Sequence, residues 1–469
     1  NRELGLMDMI KELDKIGHEI AYISGFKLEE NFNRSEFPNA IWHDYHDARA
    51  GIAPAQVDDS AFPPPGEDLI NKLVDIESTI LVLMNKRFEW MGENQKKHLY
   101  YRYIQYWDGV IKKYQPDAII MPSAPHTIYD LVVYGLAKLY GIKTIIFELT
   151  AIYDRSIIMN DYVRGFERLQ KKLVENKGKN FSVSDLDADI RKYYENQINP
   201  HESSTPYIIK SLGDIYSPQN ITKAKSTALW RSLRDRVFWE RLGKRIARIG
   251  QGSPQKEYES LQAEPDFSRK YIYMPLHYQP ECSTCPLGGV FVDQLLAVKI
   301  LSYCLPADWM IYVKEQPFQW KPRGPVYFKY RFEGYYKILA SLPNVRLVPI
   351  STDTFKLIEN ATAVASVSGT APWEGLFRDK PGIFFGYPWY RDCHGLFKVT
   401  DVASGREAIE KIKNGFKPDR QELINYLANL QTVSPNLFRF PHLKVLSSIS
   451  VEQNIKNHVE AIVRELENI

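Results

Sequence analysis

Cysteine is scarce in this chain, 4 in 469 residues. That is too few to staple a protein of this length with disulfides, so a reducing, cytoplasmic setting is expected. No apolar run reaches the roughly 18 residues that cross a bilayer, and the opening residues show no secretory leader pattern. Charge of one sign is missing too. Lys+Arg number 60 against 57 Asp+Glu, a formal net charge of +3. This balance excludes a basic nucleic-acid coat and an acidic tail protein, so no nucleic-acid partner is expected. Internal repeats and low-complexity tracts are absent. What remains is ordinary for a folded protein, 44% hydrophobic and 25% charged, and the length sets a prior of two or three domains. Aromatics reach 13%, with 29 Tyr and 9 Trp. They suit stacking on sugars or bases, although packing in cores and interfaces is the plainer account.

Periodicity organises the chain. Leu4 to Ile16 reads as a helix and Glu19 to Ser24 as a strand, half of a βαβ unit whose earlier strand is expected upstream of residue 1 or lost. Residues 30–66, with their Asp, Pro and Ala, read as a long loop, and 67–114 as helical. Ala118 to Met121, a helix stopped by Gly141, and "KTIIFELT" then form strand, helix and strand with short joins, which predicts a parallel sheet. Residues 157–268 are polar, charged and mostly helical in pattern. From Lys270 the alternation returns, with strands read at 271–276, 309–314, 345–349, 363–367 and 382–385. Helices are read between and after them at 290–303, 332–341, 353–360, 372–378 and 405–413, and 419–469 is helical. The expected division is 1–156, an N-terminal Rossmann-like domain; 157–268, a helical, charged middle; 269–418, a C-terminal Rossmann-like domain; and 419–469, terminal helices. The expected fold class is α/β, with two Rossmann-type parallel-sheet domains facing a cleft and a helical middle insertion, a pattern that suggests the GT-B plan of glycosyltransferases.

In open α/β sheets ligands sit beyond the carboxyl ends of the strands. The polar residues of the second domain crowd there, as "HYQPECST", "KEQPFQW" and "SVSGTAPWEG". Each has a chemical task available. Ser368, Gly369 and Thr370 open a helix with Pro372 in its first turn, where free N–H groups and the dipole favour a phosphate. Gly369 admits close approach of backbone to ligand. Glu374 could accept two hydroxyl groups of a ribose, Lys314 could pair with a phosphate, and His277 could donate to a phosphoryl oxygen. Taken singly, each has a bland counterpart: an N-cap, a carboxylate complementing a dipole, a surface pair of Lys314 with Glu315.

The run "YMPLHYQPE", followed about 35 residues on by "YVKEQP" and then by "SVSGTAPWEGLFRDKPGIFFG", resembles the capsule polysaccharide biosynthesis family, which includes bacterial β-Kdo transferases. The resemblance covers roughly residues 100–156 and 270–415. Its hallmark pair is a Gln-Pro and a His-Pro motif on the nucleotide side of a GT-B fold. Gln279-Pro280 matches the first. Gln316-Pro317 matches the second, except that Gln stands where His is usual; a Gln can donate to phosphate but carries no proton or charge. The resemblance implies a nucleotide-sugar donor, CMP-linked by preference, a glycan or glycolipid acceptor, and a retaining transfer through a carboxylate nucleophile of the first domain. Glu148 is the first candidate and Asp154 the second, with Asp130 behind them. Arg155 or Lys143 would pair with Glu148 if it were merely structural. His126, at another strand end, could bind an acidic sugar or move a proton. The donor would be held by His277, Gln279, Lys314, Gln316, Ser368, Gly369, Thr370 and Glu374. No cofactor or metal is expected, since cationic and helix-end groups can neutralise a phosphate.

The rival expectations are a sugar-nucleotide epimerase, a CMP-polyol phosphotransferase and a non-catalytic glycan-assembly partner. Residues 223–249 read as a basic amphipathic helix, suited to the inner-membrane surface or to packing on its own protein. Cys282 and Cys285 form a CxxC, half of a zinc site without a second half. His43, Asp44, His46 and Asp47 form a ligand-like cluster, read as a polar lining of an acceptor cleft in preference to a metal site. Tyr387, Trp389, Tyr390, Arg391, Asp392 and His394 follow the last sheet strand and read equally as a stacking platform or a rim loop.

Overall fold

The computed structural model describes residues 4–26, 34–88, 90–152, 154–199, 253–279, 281–320, 330–444 and 447–467. The basic segment 223–249 lies outside them. The second lobe carries six strands: β6 (Tyr271–Pro275), β7 (Met310–Lys314), β8 (Val345–Leu347), β9 (Ala363–Ser366), β10 (Gly382–Phe384) and β11 (Leu396–Lys398). They pair in the order β11-β10-β9-β6-β7-β8 with every ladder parallel. β7 is buried along its whole length, because a parallel sheet is covered on both faces and its central strands carry no polar alternation. β11 was not anticipated; its three residues are too few to show a period.

The first lobe departs from the single parallel sheet expected. β3 (Ala118–Met121) and β4 (Lys143–Leu149) are parallel, joined by the helix Ile128–Tyr140. That helix starts at Thr127, whose cap is closed by Asp130, and stops at Gly141 with φ 69. β5 (Ser156–Met159) returns antiparallel to β4. The connection between them is too short for a crossover, and a tight turn allows only the antiparallel partner. The sheet of this lobe therefore continues past residue 156 into the stretch read as a separate helical middle. β1 (Tyr22–Gly25) and β2 (Ile41–Asp44) form their own parallel ladder. β2 and the helix Tyr45–Ala50, capped by Asp44, correct the reading of 30–66 as one irregular loop.

The terminal helices return to the first lobe. Leu437, Ala461 and Ile462 complete a core with Leu13, Ile145, Phe147 and Ile158. Arg155 donates to the carbonyls of Gln431 and Ser434 at 3.2 and 3.0 Å. The two lobes share one apolar cluster that runs from Tyr134 and Ile146 to Trp373, Tyr390 and Tyr426.

Candidate active site

The carboxyl ends of β6 and β9 meet at His277. Its Nε2 faces Ser366 Oγ at 2.9 Å and receives the Ser368 N–H at 3.3 Å. A ring nitrogen that accepts a backbone N–H is unprotonated, so the neutral ring carries its proton on Nδ1. Burial, with Arg331 nearby, pulls the His277 pKa down to about 4, so the ring is neutral at ordinary pH and its Nδ1–H is a standing donor. Nδ1 lies beside Gly369: a Cβ added there would fall 2.6 Å from Cε1 and 3.3 Å from Nδ1. Gly369 keeps that space open. Its own N–H goes to Ser366 Oγ at 3.2 Å. Two of the N–H groups expected to face an anion, those of Ser368 and Gly369, are thus occupied inside the protein. Thr370 is exposed and its hydroxyl holds Glu374 Oε1 at 2.7 Å; burial raises the Glu374 carboxyl while the Thr370 bond opposes the rise.

Gln279, Gln316 and Lys314 sit where expected in the chain, yet each is engaged by the protein itself. Gln279 is 5% exposed. Its amide donates to Val292 O at 2.7 Å and its oxygen accepts from Gln294 at 3.0 Å and from Arg331. Gln316 Oε1 accepts the Phe318 N–H at 2.5 Å, closing its own turn. Lys314 donates to Thr352 O and to Thr354 Oγ1, the latter at 2.9 Å, and burial draws its pKa down to about 8. Lys314 and Glu315 are not the surface pair considered above. Glu315 is buried against Arg331, with Nε to Oε2 at 2.6 Å and NH2 to Oε1 at 3.1 Å. Arg331 also donates to His277 O at 2.9 Å. This brace of Arg331, Glu315, Gln279 and Gln294 ties the ends of β6 and β7 together. Reading the chain locally missed Arg331, and nothing in its neighbourhood of sequence marks it.

The first lobe brings its own groups to the junction. Glu148, at the end of β4, is half-buried and accepts the Ala124 N–H at 3.4 Å. Burial raises its carboxyl; Arg439, the Ala124 N–H and His126 oppose that rise. His126 points Nδ1 at the Ala124 carbonyl, 2.9 Å away, so Nδ1 carries the proton donated there. Asp130 accepts the His126 and Thr127 N–H groups at 3.2 and 2.8 Å, so it serves as a helix cap. From the opposite lobe, the loop after β6 arrives: Cys282 Sγ lies 3.8 Å from Ala124 O, and the fields of Glu148, Asp130 and Glu281, after burial, hold its thiol well up. The neighbouring Ser283 carbonyl accepts the Ser368 hydroxyl. One loop, 281–285, therefore links the His277 pocket to Glu148.

Asp154 is not part of this group. It occupies the β4–β5 turn with φ 68 and accepts Ser448 N–H and Oγ–H at 2.9 and 3.3 Å, so it anchors the tail and does not face the gap. The expected structural partners of Glu148 are elsewhere: Arg155 pairs with Asp187 and Asp189 at 2.6 and 2.7 Å, and Lys143 donates to Glu465 O. Cys285 donates to Thr79 O at 3.7 Å, and among the described residues no three His, Cys, Asp or Glu converge as a metal site. His43 is a core histidine, held by Tyr22 OH at 2.6 Å and Ile52 O at 2.8 Å. The 387–394 segment is a strut. Tyr390 donates to Gly369 O, and Arg391 reaches Tyr162 O and Val163 O of the first lobe at 2.7 and 2.8 Å.

No known family profile matches the chain, and no curated protein sequence does. Among solved structures it is similar to the β-Kdo 2,7 transferase of Thermosulfurimonas dismutans KpsC, with 11% identity, 94% of this chain and 99% of that one covered, and a TM-score of 0.35. It is also similar to UDP-GlcNAc 2-epimerase of Methanocaldococcus jannaschii, at 13% identity over 89% of this chain and 98% of that one, TM-score 0.27. A third is an E. coli trehalose-6-phosphate structure bound with UDP-2-fluoro glucose, at 9% identity over 99% of this chain and 77% of that one, TM-score 0.29.

Proposed function

We propose that the chain is a nucleotide-sugar-dependent glycosyltransferase of GT-B plan. The observation that carries this reading is the convergence at the lobe junction of Glu148 and His126 from the first lobe with the His277–Gly369 pocket of the second, through the loop 281–285. The donor's phosphate would take the His277 Nδ1–H and the field of Lys314, and Glu374 would hold hydroxyl groups through the oxygen that Thr370 leaves open. Gln279 would act as a brace rather than a direct contact, with Gln316 at the rim. Donor binding would draw the lobes over the anomeric carbon and exclude water.

Retention follows if Glu148 attacks. Its carboxylate oxygen bonds to the anomeric carbon as the bond to the phosphate oxygen breaks, and that electron pair leaves with the nucleotide. The acceptor hydroxyl then attacks the same carbon, gives its proton to His126 Nε2, and frees the carboxylate. The motif resemblance supports a Kdo-like sugar, a CMP donor and a glycan or glycolipid acceptor of a bacterial surface, handled at the cytoplasmic face of the membrane.

Purified protein incubated with CMP-Kdo and UDP-sugars, with and without glycan acceptors, tests this. Acceptor-stimulated release of nucleotide, and a product one sugar heavier by mass spectrometry, are expected. Isomerisation of a donor without acceptor would mean an epimerase, phosphorus in the product a phosphotransferase, and binding without turnover a non-catalytic partner. Any of these outcomes overturns the proposal.

A further inference from the structure

Among the described residues three arginines, Arg155, Arg331 and Arg439, are buried, and they are not alike. Arg155 and Arg331 are 5% and 1% exposed, and each is neutralised directly, by Asp187 with Asp189 and by Glu315, at 2.6–2.7 Å. This is the usual requirement for a buried guanidinium, because an uncompensated charge in the interior is costly. Arg439 breaks the rule. It is 7% exposed, yet it forms no ion pair within 4.0 Å among the described residues. Its NH1 donates to Phe147 O at 2.8 Å, and its Nε has no hydrogen-bond partner. The residue it grips is the one before Glu148, and Glu148 is the carboxylate on which its charge acts most. Arg439 belongs to the tail that crosses back onto the first lobe after the helix Arg420–Val433.

We propose that Arg439 is a positioning residue for Glu148: its guanidinium, which has no ion-pair partner among the described residues and is seated on the carbonyl of the preceding residue, Phe147, holds the end of the strand and places a fixed positive charge there, so the C-terminal tail is a working part of the reaction site. This inference rests on the reading of Glu148 as the reacting carboxylate. The other groups bearing on Glu148 are the Ala124 N–H and His126 on its own lobe and Cys282 on the facing loop; Asp130 and Glu281 act on the same thiol. His458, on the terminal helix, is also within the field of Arg439. None of these is a permanent cation. The absence of a direct ion pair serves the function: a carboxylate locked in a bidentate bridge is a poor nucleophile, whereas a nearby charge favours the anion without bridging its oxygens.

The test reads the titration of Glu148 without needing turnover. Infrared difference spectra against pH are collected for the full chain, with the Glu148 carboxyl band assigned by its loss in Glu148→Gln. Arg439→Gln should move the Glu148 midpoint upward, and Arg439→Lys should restore most of it. Thermal unfolding of both variants checks that the tail still docks. If Arg439→Gln unfolds, Arg439→Met and the Lys variant are compared instead. A Glu148 midpoint that stays in place in a folded Arg439→Gln, or Arg439→Lys as far displaced as Arg439→Gln, overturns the proposal. With an active donor in hand, the acidic limb of the rate profile should move with the same midpoint. A shift in the spectrum without any sugar transfer by the wild type would leave the positioning role standing and refute the transferase.

Discussion

Gly369→Ala is the sharpest single perturbation of the second-lobe pocket. The backbone there is not left-handed, so the change introduces no φ strain and its whole cost is contact. The new methyl would lie 2.6 Å from His277 Cε1 and 3.1 Å from Ser366 Oγ. Neither neighbour can yield freely, because His277 Nε2 is held by Ser366 and Ser368 at 2.9 and 3.3 Å. Moving the ring forfeits these two hydrogen bonds, each worth about 1 kcal/mol net, which falls within the roughly 1–3 kcal/mol typical of overpacking. Urea unfolding should show that loss of stability, and calorimetry should show weaker nucleotide binding, because the displaced His277 ring no longer presents its Nδ1–H in place. The decisive measurement is the double-mutant cycle. In a His277→Ala background the methyl has room, so Gly369→Ala should cost little more in stability. An equal cost in both backgrounds, or none in the wild type, would refute the steric account of why this position is glycine.

Arg331→Met should destabilise the protein by about 3–5 kcal/mol in chemical denaturation, because it leaves the Glu315 carboxylate buried with only hydrogen-bond donors; adding Glu315→Gln should recover part of that. His458 is buried with its Nδ1 on Asn454 O at 2.8 Å and a pKa lowered to about 4. The unfolded chain therefore binds more protons between about pH 6.5 and 4, and stability falls as pH drops through that window. His458→Leu should flatten the slope of Tm against pH there. Glu148→Gln should lower sugar transfer by roughly 10²–10⁴-fold with the fold intact, whereas Asp154→Asn should lower Tm by loosening the Ser448 contact and leave the rate per folded molecule close to wild type.

The rhythm of strands and helices from Lys270 onward was legible because central parallel strands are short apolar runs bounded by polar ends, and β6, β7, β9 and β10 fall within a residue or two of the reading. His277, Gly369 and Glu148 were legible as strand-end residues for the same reason. Failures have a common cause. β2 and β11 span four and three residues, too short for a period to register. Asp154 sits just past a strand end, as a ligand-binding carboxylate would, but the β4–β5 turn aims it at the tail. Gln279 and Lys314 are polar residues at strand ends that the protein consumes itself, and no local pattern tells a consumed polar group from an available one.

Composition and periodicity by themselves determined the α/β class of fold and the run of strands and helices in the second sheet, because these follow from which side chains must leave water and how often they recur. Only the tertiary structure decided which polar groups at that edge stay free. That choice depends on partners distant in sequence: Arg331 for Gln279 and Glu315, Ser448 for Asp154, and Arg439 for the Phe147 carbonyl, nearly 300 residues away. Hydrogen bonding and charge are settled by distance in space, which the order of residues along the chain does not display.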